Sequence, residues 1–292
     1  MPEWISTRDP NAVAAEVQSA YRAMFPEGDP LFLSRAFSWT LQAFRGELPE
    51  YQPVDTRYHD LEHTLQGTLC FARLLWSRHR VGAEPLVPRR WFELGLLAIL
   101  FHDTGYLKRR EDSEGTGAKY TLVHVRRSAE FARNFLAARG YAERDIRAVQ
   151  NMIRCTGVEA RPSGLLFQDE LERLVGCALG TADLLGQMAA EDYLEKLPAL
   201  YAEFAEAAAH GGDPNSFVAS FRSAEELVAR TPSFWENFVK PRLEREFFGL
   251  YRFLNDPYPD GPNPYIVRIE AHMERLRQRL ATPDRDEAGP GR

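Results

Sequence analysis

Cysteine is scarce in these 292 residues, and the three present, Cys70, Cys155 and Cys177, lie far apart without a CxxC pair. An odd, scattered set with no signal peptide argues against a disulfide framework and for free core thiols in a reducing compartment. Basic charge is not in excess either. A net charge of −6 and a pI near 5.7 disfavour non-specific nucleic-acid binding, so the expected partner is a small molecule. Long apolar runs are also missing: the longest, Leu94–Phe101 ("LGLLAILF"), is far too short to span a bilayer. The opening "MPEWISTRDP" lacks the basic-then-apolar pattern of a targeting segment. A soluble, cytoplasmic protein is expected, with no membrane partner.

Strand-like alternation is absent as well, and helical signals take its place. Asp9-Pro10 reads as a cap followed by a favoured first-turn proline, and "NAVAAEVQSAYRAMF" runs at helical spacing to Pro26. Similar segments end before Gly46 and Gly105 and at Gly140, and another ends near Gly157. Further helices are expected at about 169–190, 191–210, 215–230, 233–255 and 263–281. The fold class is therefore all-α. With 44% hydrophobic residues the chain can fill a sizeable core. It is read as one domain over 1–281, with a polar loop at 108–120 and a charged, flexible tail at 282–292.

Against this apolar background a few polar residues need explaining. "YHDLEH" places His59 and His63 four residues apart, on one face of a helix if 58–78 is helical. "LLAILFHDTG" ends a buried-looking run on His102-Asp103, and "LGTADLLGQM" interrupts another with Asp183. Unpaired polar groups are costly in such positions. Each feature alone has an ordinary reading: hydrogen-bonded histidines for the first, a chance dipeptide for the second, an arginine-paired aspartate for the third. Together His63, His102, Asp103 and Asp183 supply two imidazoles and two carboxylates, a mixed N/O set suited to a divalent cation.

"YHDLEH", "LLAILFHDTGY" and "TADLL", in that order and within helices, resemble the HD/phosphodiesterase superfamily of metal-dependent phosphohydrolases over about residues 55–190. The resemblance implies a compact multi-helix fold around a central metal site. It assigns His63, His102, Asp103 and Asp183 to one divalent ion (Mn, Mg, Fe, Co, Ni or Zn), with Asp103 able to bridge to a weaker second. His59 resembles the general acid, and water activated by the metal would attack phosphorus in a phosphodiester or nucleotide. Asp60 and Thr64 depart from the YHN-x-x-HA form of the cyclic-nucleotide enzymes. Thr231 stands where those enzymes carry a purine-reading glutamine, three residues before Phe234. Asp60 bears on how His59 is hydrogen-bonded, and Thr231, without the amide that reads purine edges, argues against typical cyclic-nucleotide specificity. Phe234, Trp235 and Phe238 are either an aromatic clamp or core, with core favoured by their helical spacing.

Lys108, Arg109, Arg110, Arg126 and Arg127 are candidate phosphate contacts, and His124 is a residue near the substrate or a capping histidine. The alternative to an enzyme is a catalytically silent HD-fold module that binds a nucleotide or senses it.

Overall fold

The structure, a computed structural model, describes residues 4–158, 160–211 and 216–281. The expected tail at 282–292 lies outside the described residues. Among the described residues there is no β-strand, only an isolated bridge between Tyr51 and Arg109. The all-α expectation holds.

The chain opens with α1 (Pro10–Met24), whose start is fixed as its residues dictate: the Asp9 carboxylate accepts from the Asn11 N–H and Pro10 takes the first turn. Next come α2 (Phe32–Phe44) and α3 (Leu61–Arg80). The next, α4 (Arg89–Phe101), is buried from Phe92 onward and carries the "LGLLAILF" run through the middle of the molecule. After a 3₁₀ turn at Thr104–Tyr106 come α5 (His124–Ala137), α6 (Glu143–Ile153) and α7 (Glu170–Met188). The remainder is α8 (Tyr193–Ala209), α9 (Ala224–Phe234), α10 (Lys240–Arg245) and α11 (Pro264–Ala281). One apolar cluster takes residues from Val13 to Leu276, and its members on α3, α4 and α7 are almost all fully buried. Cys70, Cys155 and Cys177 are buried free thiols, Cys70 and Cys177 within this cluster. Among the described residues no helix is long and apolar enough to cross a membrane.

Two expectations need correcting. In the stretch at 215–230, described from Ser216, a 3₁₀ turn at Val218–Ser220 comes first and the α-helix starts only at Ala224, where the Ser223 hydroxyl accepts from the Glu226 N–H. The expected helix over 233–255 is broken: a π-helical stretch at Trp235–Val239 leads into α10, and Phe248 and Gly249 adopt positive φ before a 3₁₀ turn at Leu250–Leu254. Apolar periodicity continues through "WENFVKPRLEREFFG", so the pattern does not mark the change in hydrogen-bond register.

The pair that positions the site is α3 against α7. A Cβ added at Gly186 would lie 2.7 Å from the Gln66 carbonyl, so a glycine is needed for the two backbones to approach as they do. That approach brings His63, one turn before Gln66, to Asp183, one turn before Gly186.

Candidate metal centre

His63 lies in the first turn of α3, which begins where the Asp60 carboxylate accepts from the His63 N–H at 2.9 Å. The cap also corrects an expectation. His59 precedes the helix instead of lying on it, because Asp60 acts as the N-cap with extended backbone. The two rings nonetheless meet edge to face, with centroids 5.3 Å apart. Asp60 thus starts the helix that carries His63.

His102 and Asp103 sit where α4 stops. The terminal carbonyls of a helix need partners, and here side chains supply them: the His102 Nδ1–H donates to Ile99 O at 2.7 Å and the Thr104 hydroxyl donates to Phe101 O at 2.8 Å. Bonding at Nδ1 leaves the His102 Nε2 lone pair facing inward. The turn then packs against the start of α5. A Cβ at Gly105 would fall 2.0 Å from His124 O, and the Gly105 N–H donates to the Ser128 hydroxyl at 2.8 Å. This contact brings His124 beside Asp103.

The four residues converge. His63 Nε2 lies 3.1 Å from Asp103 Oδ2 and 3.4 Å from Asp183 Oδ1; His102 Nε2 lies 3.3 and 3.4 Å from the same two oxygens. All four side chains are buried. Yet His102 Nε2 and Asp103 Oδ2 make no hydrogen bond, and His63 Nδ1 is also buried without a partner. Buried polar atoms left unpaired are costly, and a cation between His102 Nε2 and Asp103 Oδ2 would satisfy both. Neighbouring ligands of a six-coordinate ion with bonds of about 2.1–2.3 Å stand about 3.0–3.3 Å apart, and those of a tetrahedral zinc site about 3.4 Å apart. The observed separations fit either geometry, so the donor set suits a divalent cation.

The charges are balanced within the cluster. Burial alone would lower the His63 pKa, but Asp103 and Asp183 overcome it and hold the ring up at about 10. His102 is raised against burial by the same two carboxylates. Burial would raise Asp103 and Asp183, and the two imidazoles instead hold both well below the usual carboxylate range. Asp183 is therefore not the arginine-paired aspartate of the alternative reading. Without a cation, a proton shared among imidazole and carboxylates supplies the compensation.

His124 approaches the other oxygen of Asp103, with Nε2 3.8 Å from Oδ1, and its Nδ1–H donates to Thr121 O at 2.5 Å. Burial lowers its pKa, which favours the neutral ring. Tyr106 is stacked between His59 and His124, at centroid distances of 4.6 and 4.7 Å.

Sequence reasoning missed Glu203, on α8. Its carboxylate accepts from His59 Nδ1–H at 2.5 Å and from the Tyr58 N–H at 2.6 Å. Burial opposes its ionised form, but His59 and these backbone donors prevail and hold its pKa below the usual range. The pairing leaves His59 Nε2 as the free ring nitrogen.

The basic residues separate into two groups. Lys108 donates to Gly115 O, and Arg110 to Gly46 O and Leu48 O, while Arg109 stacks over Tyr51. Arg127 donates to Gly105 O and Leu107 O. These four hold loops together and do not line the cavity at the site, which overturns their reading as phosphate contacts. Arg126 does line it.

That cavity, about 720 Å³, reaches from His59, His63, Asp103 and Asp183 to the aromatic residues of α8, α9 and the π-helical stretch. Phe234 and Phe238 stack 4.9 Å apart on its wall, whereas Trp235 is core, its indole N–H donating to Glu270 at 2.9 Å. The core reading thus holds fully for Trp235, while Phe234 and Phe238 pack against the core and also face the cavity.

Residues 110–251, just under half of the chain, match the family model described as Npun_R2479-like. The matched segment contains His124, Asp183, Glu203 and most of the aromatic wall, and begins after His102-Asp103. No curated protein matches the chain.

Proposed function

We propose that the protein is a metal-dependent phosphohydrolase of the HD superfamily type, cleaving a phosphate ester of a small molecule. The observation that carries this reading is the convergence of His63, His102, Asp103 and Asp183 at the end of a large cavity, with His102 Nε2 and Asp103 Oδ2 buried there without a hydrogen bond. A divalent cation held by them would polarise phosphoryl oxygens and lower the pKa of water.

The protein's own groups do the rest. Glu203 fixes the His59 tautomer by accepting from Nδ1, so that Nε2 faces the substrate and can hand a proton to the departing ester oxygen. Tyr106, stacked on both His59 and His124, keeps the two rings in place. Arg126, exposed at the cavity without an ion-pair partner among the described residues, is a candidate contact for the phosphoryl group. A silent nucleotide-binding or sensory module would need no carboxylate orienting His59, which favours turnover. Three buried free thiols suit the reducing cytoplasm as the place of action.

Metal analysis of freshly purified protein, followed by assays of bis(4-nitrophenyl) phosphate and 4-nitrophenyl phosphate with Mn²⁺, Mg²⁺, Co²⁺, Ni²⁺, Fe²⁺ and Zn²⁺, tests the reading. Near-stoichiometric metal and cation-dependent release of nitrophenol are expected. Metal-free protein that cleaves neither ester with any of the six cations would overturn it.

A further inference from the structure

The substrate class is written on the cavity wall. Away from the histidine end the lining is apolar and aromatic, with Leu197, Leu200, Phe204, Phe217, Phe221 and Phe234 among its residues. The polar residues between them are already engaged. Gln187 accepts from the Tyr58 hydroxyl and donates to the Asp183 carbonyl and carboxylate. The hydroxyls of Thr121, Thr156 and Thr231 donate to carbonyls of their own turns, Ala118, Ile153 and Leu227. Arg242 directs its guanidinium at the carbonyls of Gly157, Val158 and Ala160. Among the described lining residues, the buried hydroxyl without a partner is that of Tyr106, at the histidine end.

A site that reads a nucleobase offers free donors and acceptors at the base edges, and one that holds a ribose offers partners for its hydroxyls. Along the phenylalanines those groups are committed to the protein itself, and the further polar pair, Ser233 and Asn237, is exposed, with the Asn237 amide donating to the Ser233 hydroxyl. Burying a purine here would leave its polar edges unsatisfied, at about 1–3 kcal/mol for each group. Hydrocarbon has no such cost and gains from leaving water. Charge is arranged to match: Arg126, Arg154 and Arg230 line the cavity with exposed side chains, and its acidic lining residues are Asp103 and Asp183.

Building on the phosphohydrolase reading, we propose that the cavity takes an amphiphile: an anionic phosphate ester that carries an extended hydrocarbon, with the ester at the histidine end and the hydrocarbon against the phenylalanines.

The test uses 4-nitrophenyl phosphodiesters carrying methyl, butyl or octyl groups below their micelle concentrations, together with calorimetric binding of methylphosphonate, octylphosphonate and AMP to the full chain. Values of kcat/KM should rise about threefold to fourfold per added methylene until the hydrocarbon fills the cavity, and octylphosphonate should bind more tightly than methylphosphonate or AMP. Leu200→Trp, which fills the cavity, should lower the octyl-to-methyl ratio of kcat/KM at least tenfold. Esters cleaved with no dependence on chain length, or AMP bound more tightly than octylphosphonate, would overturn the amphiphile and leave hydrolysis standing. Chain-length-dependent phosphonate binding without cleavage of any ester would support the cavity assignment and remove hydrolysis. Absence of both would remove both.

Discussion

In the proposed mechanism His59 and Glu203 serve proton transfer while His63, His102, Asp103 and Asp183 hold the cation, and substitution can separate the two roles. His59→Asn should keep the metal but slow an alkyl phosphoester by about 10² to 10⁴, the range for lost acid catalysis. A 4-nitrophenyl ester should be largely spared, because its phenolate leaves without a proton. Glu203→Gln should show the same substrate pattern with a smaller deficit, since His59 remains but loses the carboxylate that fixes its tautomer. Equal loss on both esters together with loss of metal would make His59 a ligand. Asp103→Ala, by contrast, should lose metal and activity together, because its Oδ2 is shared between His63 and His102. Unchanged metal content in that variant, measured by mass spectrometry, would contradict the assignment. His63, His102, Asp103 and Asp183 were legible in the sequence because each interrupts an apolar context. Glu203 was not. In "YAEFAEAAA" it reads as one acid on an amphipathic helix, and only the packing of α8 onto the segment before α3 shows that it is buried and aimed at His59.

At the scale of elements, the site depends on how closely α3 and α7 approach, and Gly186 sets that distance. Gly186→Ala would press a methyl group onto the Gln66 carbonyl, so the helices must separate. A cost of about 1–3 kcal/mol is expected for such overpacking, together with weaker metal binding, because His63 and Asp183 move apart with their helices. Gly164→Ala, whose methyl group would meet no neighbour within 4 Å, should leave metal binding unchanged. If titration shows equal metal affinity in the two variants, the α3–α7 contact does not tune the site. Element type was legible from caps and periodicity, as the start of α1 at Pro10 shows. Element ends were less so. His59 falls outside α3 because Asp60 caps it, and Phe248 and Gly249 break a stretch whose apolar spacing runs on. Both outcomes are set by local backbone geometry that a hydrophobic pattern does not encode.

At the scale of the whole molecule, the buried cluster ties folding stability to pH. In the metal-free protein Asp103 and Asp183 hold His63 protonated up to about 10 and raise His102 as well. An imidazole raised above its ordinary value of about 6.5 stabilises the fold fully below that pH, and the contribution is lost as pH rises through the folded value. Metal-free protein should therefore lose stability steadily between about pH 6.5 and 10, each 1 kcal/mol lowering Tm by about 2–4 °C for a chain somewhat shorter than this one. Loaded protein has no such proton to lose, because metal and proton compete for the same nitrogen. The gap in Tm between loaded and metal-free protein should widen as pH rises over that window, and metal binding near pH 7.5 should release protons, seen calorimetrically as an enthalpy that changes with buffer. A gap that stays constant from pH 6.5 to 9.5, with no proton release, would mean that the cation binds elsewhere and that His63 keeps its proton beside Asp103 and Asp183.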